Sequence, residues 1–340
     1  MPSHFEILAS FAQFGREQRI SLRDPKAAAD YVAHVAKAIE EAVKSDTLLH
    51  GQRTQNMFEA LVVSLGKYKL LKTEDAGRCH PKDQYRVPDF RVILNDRKQW
   101  LIEVKNIYDP DPLRQTTKFK PEYVKQLQDY ADLMGCPLKL ALYWARWSIW
   151  TLISPEDLSR DGDKLTIVMM DAVRANELAA LGDRTIGTTP PLKFQFLANR
   201  EKPRFINEAN EAVMTGNGAK IFVGDNEVTD KVEQEIVWIF MRYGDWRMSG
   251  PTAVMSGKDV DALELTWAPK EESDQGFEFI GTLSSMFARY YATQTLNESG
   301  IAQIEADHVP NWFAPLVSNT TFSDALPLWR FDLQPNKTKK

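Results

Sequence analysis

Val87-Pro88-Asp89-Phe90-Arg91-Val92-Ile93-Leu94, followed by Asn95-Asp96-Arg97-Lys98 and then Trp100-Leu101-Ile102-Glu103-Val104-Lys105, is the stretch that decides the fold. Two runs rich in β-branched and aromatic residues flank a polar turn, which predicts an antiparallel hairpin. Side chains alternate along a strand, so Glu103 and Lys105 share a face roughly 6 to 7 Å apart while Val104 points into a core. With the hairpin paired, Asp89 converges on Glu103 from the neighbouring strand. Two carboxylates are hard oxygen ligands suited to a divalent ion such as magnesium. The plain alternative, an exposed ion pair at a strand end, is worth little. Trp100, Leu101, Ile102, Val104 and Ile107 instead predict a strand with much of its surface buried, where charge needs a reason.

Upstream, Asp24-Pro25 opens a helix carrying Tyr31, Val32, Val35, Ile39, Ala42 and Val43 at three- and four-residue spacing. A second helix is predicted from about Gln52 to Leu65, stopped by Gly66, with Glu59 beside its apolar stripe. Downstream of a polar stretch, Thr73 to Gln84, and of the hairpin, a loop from Asp109 to Lys120 precedes a helix from Glu122 to Met134. Strands follow at Leu138 to Trp144 and Ser148 to Ile153. The polar run from Ser154 to Asp163 is the predicted domain boundary, separating a domain of residues 1–155 from one of 160–335.

The 340 residues suffice for about two domains, and 9 Trp, 10 Tyr and 17 Phe supply packed cores. No run approaches the roughly 18 apolar residues of a membrane span, and Met1 to Ile20 is too charged for a signal peptide, so a cytoplasmic location is expected. Residues 1–150 hold 23 Lys and Arg against 19 Asp and Glu, a balance of +4. The remainder holds 19 against 28, a balance of −9, so a polyanion meets the N-terminal half more easily. Cys79 and Cys136 are too few for a disulfide framework or a four-cysteine zinc site, and the five histidines lack metal-ligand spacing. No GxxxxGK[ST] is present.

In Pro88-Asp89 and Glu103-Val104-Lys105 the chain resembles the PD-(D/E)xK nuclease superfamily, over about residues 50–153. The resemblance implies an α/β, restriction-endonuclease-like core, a mixed sheet flanked by helices, here followed by a second mixed α+β domain. It implies Asp89 and Glu103 as metal ligands, with Glu59 of the first core helix assisting, and Lys105 acting on the attacking water. It also implies Mg2+ as cofactor, with Mn2+ able to substitute. Gln126 and Tyr130 match the QxxxY of the RecB-like and resolvase-like branches; four apart, they share a helix face. Arg114, Lys118, Lys120 and Lys125 flank the site and suit backbone phosphates, as they suit any solvated loop. The aromatic run Tyr143 to Trp150 reads as hairpin core more than as a base-stacking platform.

The expected function is a divalent-metal-dependent DNA endonuclease in restriction, anti-phage defence or DNA repair, acting as a homodimer or larger assembly because two strands need two sites. The alternative is a non-catalytic or partner-activated nucleic-acid-binding subunit of a defence or repair complex. Residues 160–340 carry no catalytic motif. They read as a mixed α and β part for target recognition, oligomerisation or partner docking, with strands at Leu165 to Met170, Lys193 to Leu197, Ala219 to Val223, Ala262 to Trp267 and Phe277 to Ile280. Helices are predicted at Lys231 to Tyr243 and Ser284 to Thr293, and a fraying tail at Asn336 to Lys340.

Overall fold

The computed structural model describes residues 4–75, 79–80, 82–318 and 320–336. Of the sequence expectations, the tail 337–340 and positions 76–78 and 81 of the polar stretch lie outside the described residues. The chain divides into two compact units, Met1–Arg53 and Thr54–Lys340. In the first, α1 (His4–Gln18) meets α2 (Ala27–Ala42) through Phe11 and Phe14, whose ring centroids lie 5.2 and 5.6 Å from that of Tyr31. Asp24 does not cap α2 directly: its Oδ1 accepts the Lys26 N–H at 2.9 Å, turning the chain just ahead of a helix that starts at Ala27. Val32, Ile39 and Val43 of the expected stripe are more than half exposed, because α1 meets α2 along its Tyr31 side.

In chain order there follow α3 (Asp46–Leu65), β1 (Tyr68–Thr73), β2 (Phe90–Leu94), β3 (Gln99–Ile107), β4 (Thr116–Phe119), α4 (Pro121–Leu133), β5 (Leu138–Trp144) and β6 (Ile149–Ile153). Helix α3 starts six residues earlier than predicted, at a turn where the Ser45 hydroxyl accepts the Leu48 N–H. It ends at Gly66, whose φ of +71° glycine adopts at no steric cost. The sheet order is β1-β2-β3-β5-β6, antiparallel except for the central β3–β5 pair, which is parallel with α4 as its crossover. The β2–β3 turn carries Arg97 at φ +70°, with Leu94 and Lys98 closing it. Phe90 then stands opposite Ile102 and Arg91 opposite Leu101.

Alternation sorts the sheet into two faces. Phe90, Val92, Ile102, Val104, Tyr143 and Trp150 pack with Phe58 and Leu61 of α3. On the opposite face, Leu101 and Leu138 pack with Leu127 and Tyr130 of α4, and Ile107, Leu142 and Trp144 with Val124 and Phe119. Glu103 and Lys105 fall by register on this α4 face.

Beyond β6 come β7 (Ser159–Asp161), β8 (Lys164–Val168), α5 (Met169–Arg174), β9 (Thr185–Thr188), β10 (Leu192–Ala198), β11 (Phe205–Ile206), β12 (Ala212–Val213), β13 (Gly216–Val223), β14 (Asn226–Val228), α6 (Lys231–Tyr243), β15 (Arg247–Ser256), β16 (Asp259–Ala268), β17 (Glu278–Thr282) and α7 (Leu283–Thr295). The chain closes with β18 (Leu296–Asn297), β19 (Gly300–Ile301), α8 (Ala314–Val317) and β20 (Leu328–Phe331). A second sheet runs β14-β13-β10-β16-β15 and a third β17-β9-β20. The second unit is mixed α/β, whereas the described elements of the first are helices. Among the described residues no helix is long and apolar enough to cross a membrane.

The polar run 154–163 lies inside the second unit rather than at its edge. Strand β4, within the stretch expected to be loop, pairs with β8 across it, and the predicted strand Leu165 to Met170 yields to α5 after Val168. Beneath that run, Lys139 Nζ donates to Glu177 Oε2 at 2.6 Å and to Ser154 Oγ at 2.8 Å, all but sealed from solvent. Apolar packing is continuous from Phe58 and Trp150 to Phe240 and Phe287.

Breaking a buried pair strands an uncompensated charge, so Glu177→Ala should lower unfolding free energy by about 3–5 kcal/mol in urea melts. Asp183 is likewise buried; it accepts the Ser284 N–H at 2.9 Å and hydroxyl at 2.8 Å. Burial nevertheless pushes its carboxyl up to about 6. The native state therefore binds this proton more tightly than the unfolded chain. Its contribution is fully present below about pH 4 and declines as pH rises to about 6. Asp183→Asn should flatten stability across that window, measured as urea midpoints between those pH values.

Candidate active site

Continuing the β2–β3 register by one residue sets Asp89 opposite Glu103. Asp89 is held there from two sides. Its Oδ2 accepts the Val104 N–H at 2.6 Å, and its Oδ1 accepts Gln55 Nε2 of α3 at 2.6 Å. Its own carbonyl accepts the Glu74 N–H at 2.8 Å, extending the β1–β2 ladder past the strand. Glu103 accepts Lys105 Nζ at 2.6 Å and the Tyr123 hydroxyl on the same Oε1. Lys105 Nζ also lies 5.0 Å from the centre of the Tyr123 ring, and the Arg86 guanidinium lies 4.6 Å from it. One aromatic ring of α4 thus orders two cations and a carboxylate.

Asp89 and Glu103 are 5% and 4% exposed, so their charges feel each other with little screening. Burial, followed by the Glu103 charge, pushes the Asp89 carboxyl up to about 7, against the pull of the Val104 N–H and Lys105. Burial and Glu103 also raise the Asp75 carboxyl. Burial disfavours the Lys105 ammonium, but Glu103 and Tyr123 outweigh it and hold its pKa above the usual lysine range. The Tyr123 hydroxyl is pushed up to about 12 by burial and then by Glu103.

Two buried carboxylates in mutual repulsion are the donor chemistry that a hard dication relieves, so Asp89 and Glu103 fit such an ion. No group of three or more Asp, Glu, His or Cys converges as a metal cage among the described residues. Glu59, expected to assist, is half-buried one turn after Gln55 and makes no hydrogen bond or ion pair among the described residues; Gln55 reaches Asp89 instead.

Gln126 and Tyr130 do not join the carboxylates. The Tyr130 hydroxyl donates to Glu74 Oε1 at 2.9 Å, where Arg91 Nη2 also binds at 2.6 Å. Gln126 braces the segment before β2, its carbonyl accepting the Arg86 N–H at 3.2 Å. Of the flanking cations, Lys118 and Lys120 line an open cleft of about 680 Å³ together with Arg86, Lys105, Asn106 and Tyr123. Lys118 also stands 3.8 Å from Asp161. Arg114 pairs with Asp111 at 3.5 Å and Lys125 with Asp129 at 2.5 Å, and neither lines that cleft. Gln55, Asp75, Arg86 and Tyr123 were not among the sequence candidates. Only Gln55 left a trace, four residues before Glu59 on one helix face.

No protein-family profile and no curated protein matches the chain. Among solved structures it is similar to Hjc, a Holliday junction resolvase of the archaeal hyperthermophile Archaeoglobus fulgidus, at 20% identity and a TM-score of 0.31, covering 39% of this chain and 95% of that one.

Tyr130 serves stability in this arrangement. Tyr130→Phe removes a hydrogen bond to a buried carboxylate and should cost about 1–3 kcal/mol in thermal or urea unfolding, while leaving divalent-ion binding, measured by calorimetry, within about twofold of wild type, a margin set by its lack of contact with the carboxylates.

Proposed function

We propose that the chain is a divalent-metal-dependent DNA endonuclease of the PD-(D/E)xK type, with Asp89 and Glu103 holding Mg2+, or Mn2+ in its place. The observation that carries this reading is the 2.6 Å hydrogen bond from the Val104 N–H to Asp89, which joins the Pro88-Asp89 and Glu103-Val104-Lys105 motifs into one cluster. The order α3, antiparallel strands, α4 and parallel β5 supports it, since it follows the core that the motif resemblance implies. A bound ion would neutralise charge on the scissile phosphate. Lys105 presents its ammonium at the mouth of the cluster, 34% exposed, where it orients the attacking water and stabilises charge developing on phosphorus. Tyr123 fixes the ring under Lys105 and so fixes that ammonium's direction. Arg86, Lys118 and Lys120 provide the cleft with positive charge for a phosphate backbone. Cutting both strands calls for two copies of the site, hence a homodimer or a larger assembly.

Purified protein incubated with supercoiled and linear duplex DNA should cut with Mg2+ or Mn2+ and not with EDTA. Asp89→Ala and Lys105→Ala should each reduce the rate at least about 100-fold while retaining the wild-type circular dichroism, since each removes a group acting on the transition state. Folded wild type that binds metal but does not cut points to the partner-activated subunit. Absence of both metal binding and cutting overturns the assignment.

A further inference from the structure

A second cavity, of about 460 Å³, lies apart from the carboxylate–lysine cluster and shares no residue with it. It opens beside β6, an edge strand of the first sheet, against the start of α7. Trp147 and Phe279, on its wall, are 45% and 49% exposed, large apolar rings that folding leaves in water. Trp147 is held in place, its indole N–H donating to the Pro112 carbonyl at 3.1 Å.

Two further lining residues carry hydrogen-bond donors that take no protein acceptor among the described residues, and only that of Trp150 is fully buried. Trp150 is only 2% exposed, packed by Phe58 and Tyr143, and its indole Nε1–H is buried without a partner among the described residues. Asn176 accepts the Leu152 and Leu178 N–H groups on Oδ1 at 2.8 and 3.0 Å, which fixes its amide orientation. Its Nδ2 makes no hydrogen bond among the described residues. A buried donor without an acceptor is costly, so the Trp150 indole, with the part-buried Asn176 amide on the same lining, favours a ligand that brings acceptors. The cations at this cavity are already matched: Arg184 pairs with Asp332 at 2.8 Å and Arg289 with Asp245. The site therefore has aromatic walls, surplus donors and balanced charge, which excludes phosphate as its principal determinant.

We propose that this cavity binds a nucleobase, a flat uncharged ring rich in carbonyl and ring-nitrogen acceptors, set against Trp147 and Phe279 and hydrogen-bonded by Trp150 and Asn176. The volume is in the range of small-molecule sites. Such a base arrives on a free nucleotide or as an unpaired base of a strand, and the cavity's chemistry is the same for both.

Calorimetric titration in EDTA with each of the four deoxynucleoside monophosphates, a short single-stranded oligonucleotide and its duplex tests it. Trp147→Ala, at the surface, should weaken binding at least fivefold without moving the melting temperature, in line with the loss of a stacking partner. Trp150→Phe, which keeps the ring and deletes the donor, should weaken it about three- to tenfold. Binding of a monophosphate assigns the free nucleotide, and binding of the single strand alone assigns a strand base. No binding of any of these at millimolar concentration by folded wild type, or binding that neither variant weakens, overturns the proposal.

Discussion

The hydrogen bond from the Val104 amide to Asp89 is the constraint on which the site depends. A buried carboxylate is costly unless it is hydrogen-bonded, and here one strand supplies the acid and its neighbour the donor. Val104 serves twice: its side chain is 3% exposed in the core shared with α3, while its backbone holds Asp89. Gln55 takes the other oxygen from the same helix that packs on Val104's face. Packing and polar geometry are therefore fixed by one set of contacts, and the two flanking positions, 103 and 105, are turned to α4, where Tyr123 receives them.

The parts of the fold legible in the sequence are those whose periodicity is local and strong. The limits of β5 and α6 coincide with those predicted, and the β2–β3 hairpin was visible from its alternating apolar residues and polar turn. Strand β1 was missed because Lys69 and Lys72 interrupt its apolar pattern, as suits an edge strand. Strand β4 is four residues long and takes its shape from β8, about 50 residues on. Strand β15 was hidden by Gly250-Pro251, where the ladder to β16 shifts register and Gly250 adopts φ +99°. In the site, the convergence of Asp89, Glu103 and Lys105 follows from a two-residue repeat and was readable. Gln55, Arg86 and Tyr123 come from other elements and meet only through tertiary packing. Glu59 and Tyr130 occupy motif positions, yet the first lies one turn from the contact and the second holds Glu74.

The electrostatic asymmetry of the chain is realised locally as well as in the halves. The cleft beside Glu103 gathers Arg86, Lys105, Lys118 and Lys120 against Glu122, whereas the cations at the second cavity are each matched by a carboxylate. The residues after 154 also support the elements before them: Glu177 neutralises Lys139 of β5, and β8 gives β4 its ladder in a separate small sheet, β4-β8-β7.

The β2–β3 turn has a consequence for how this chain tolerates change. Side chains on paired strands repeat every two residues, so sliding β2 by one position against β3 would exchange the two faces of β2 and carry Asp89 away from Glu103. The turn at 95–98, solvent-facing and remote from the carboxylates, can therefore vary in composition but not freely in length. A single-residue insertion or deletion that shifts this register separates Asp89 from Glu103 at a distance, while a same-length replacement that keeps the left-handed position at 97 preserves their pairing.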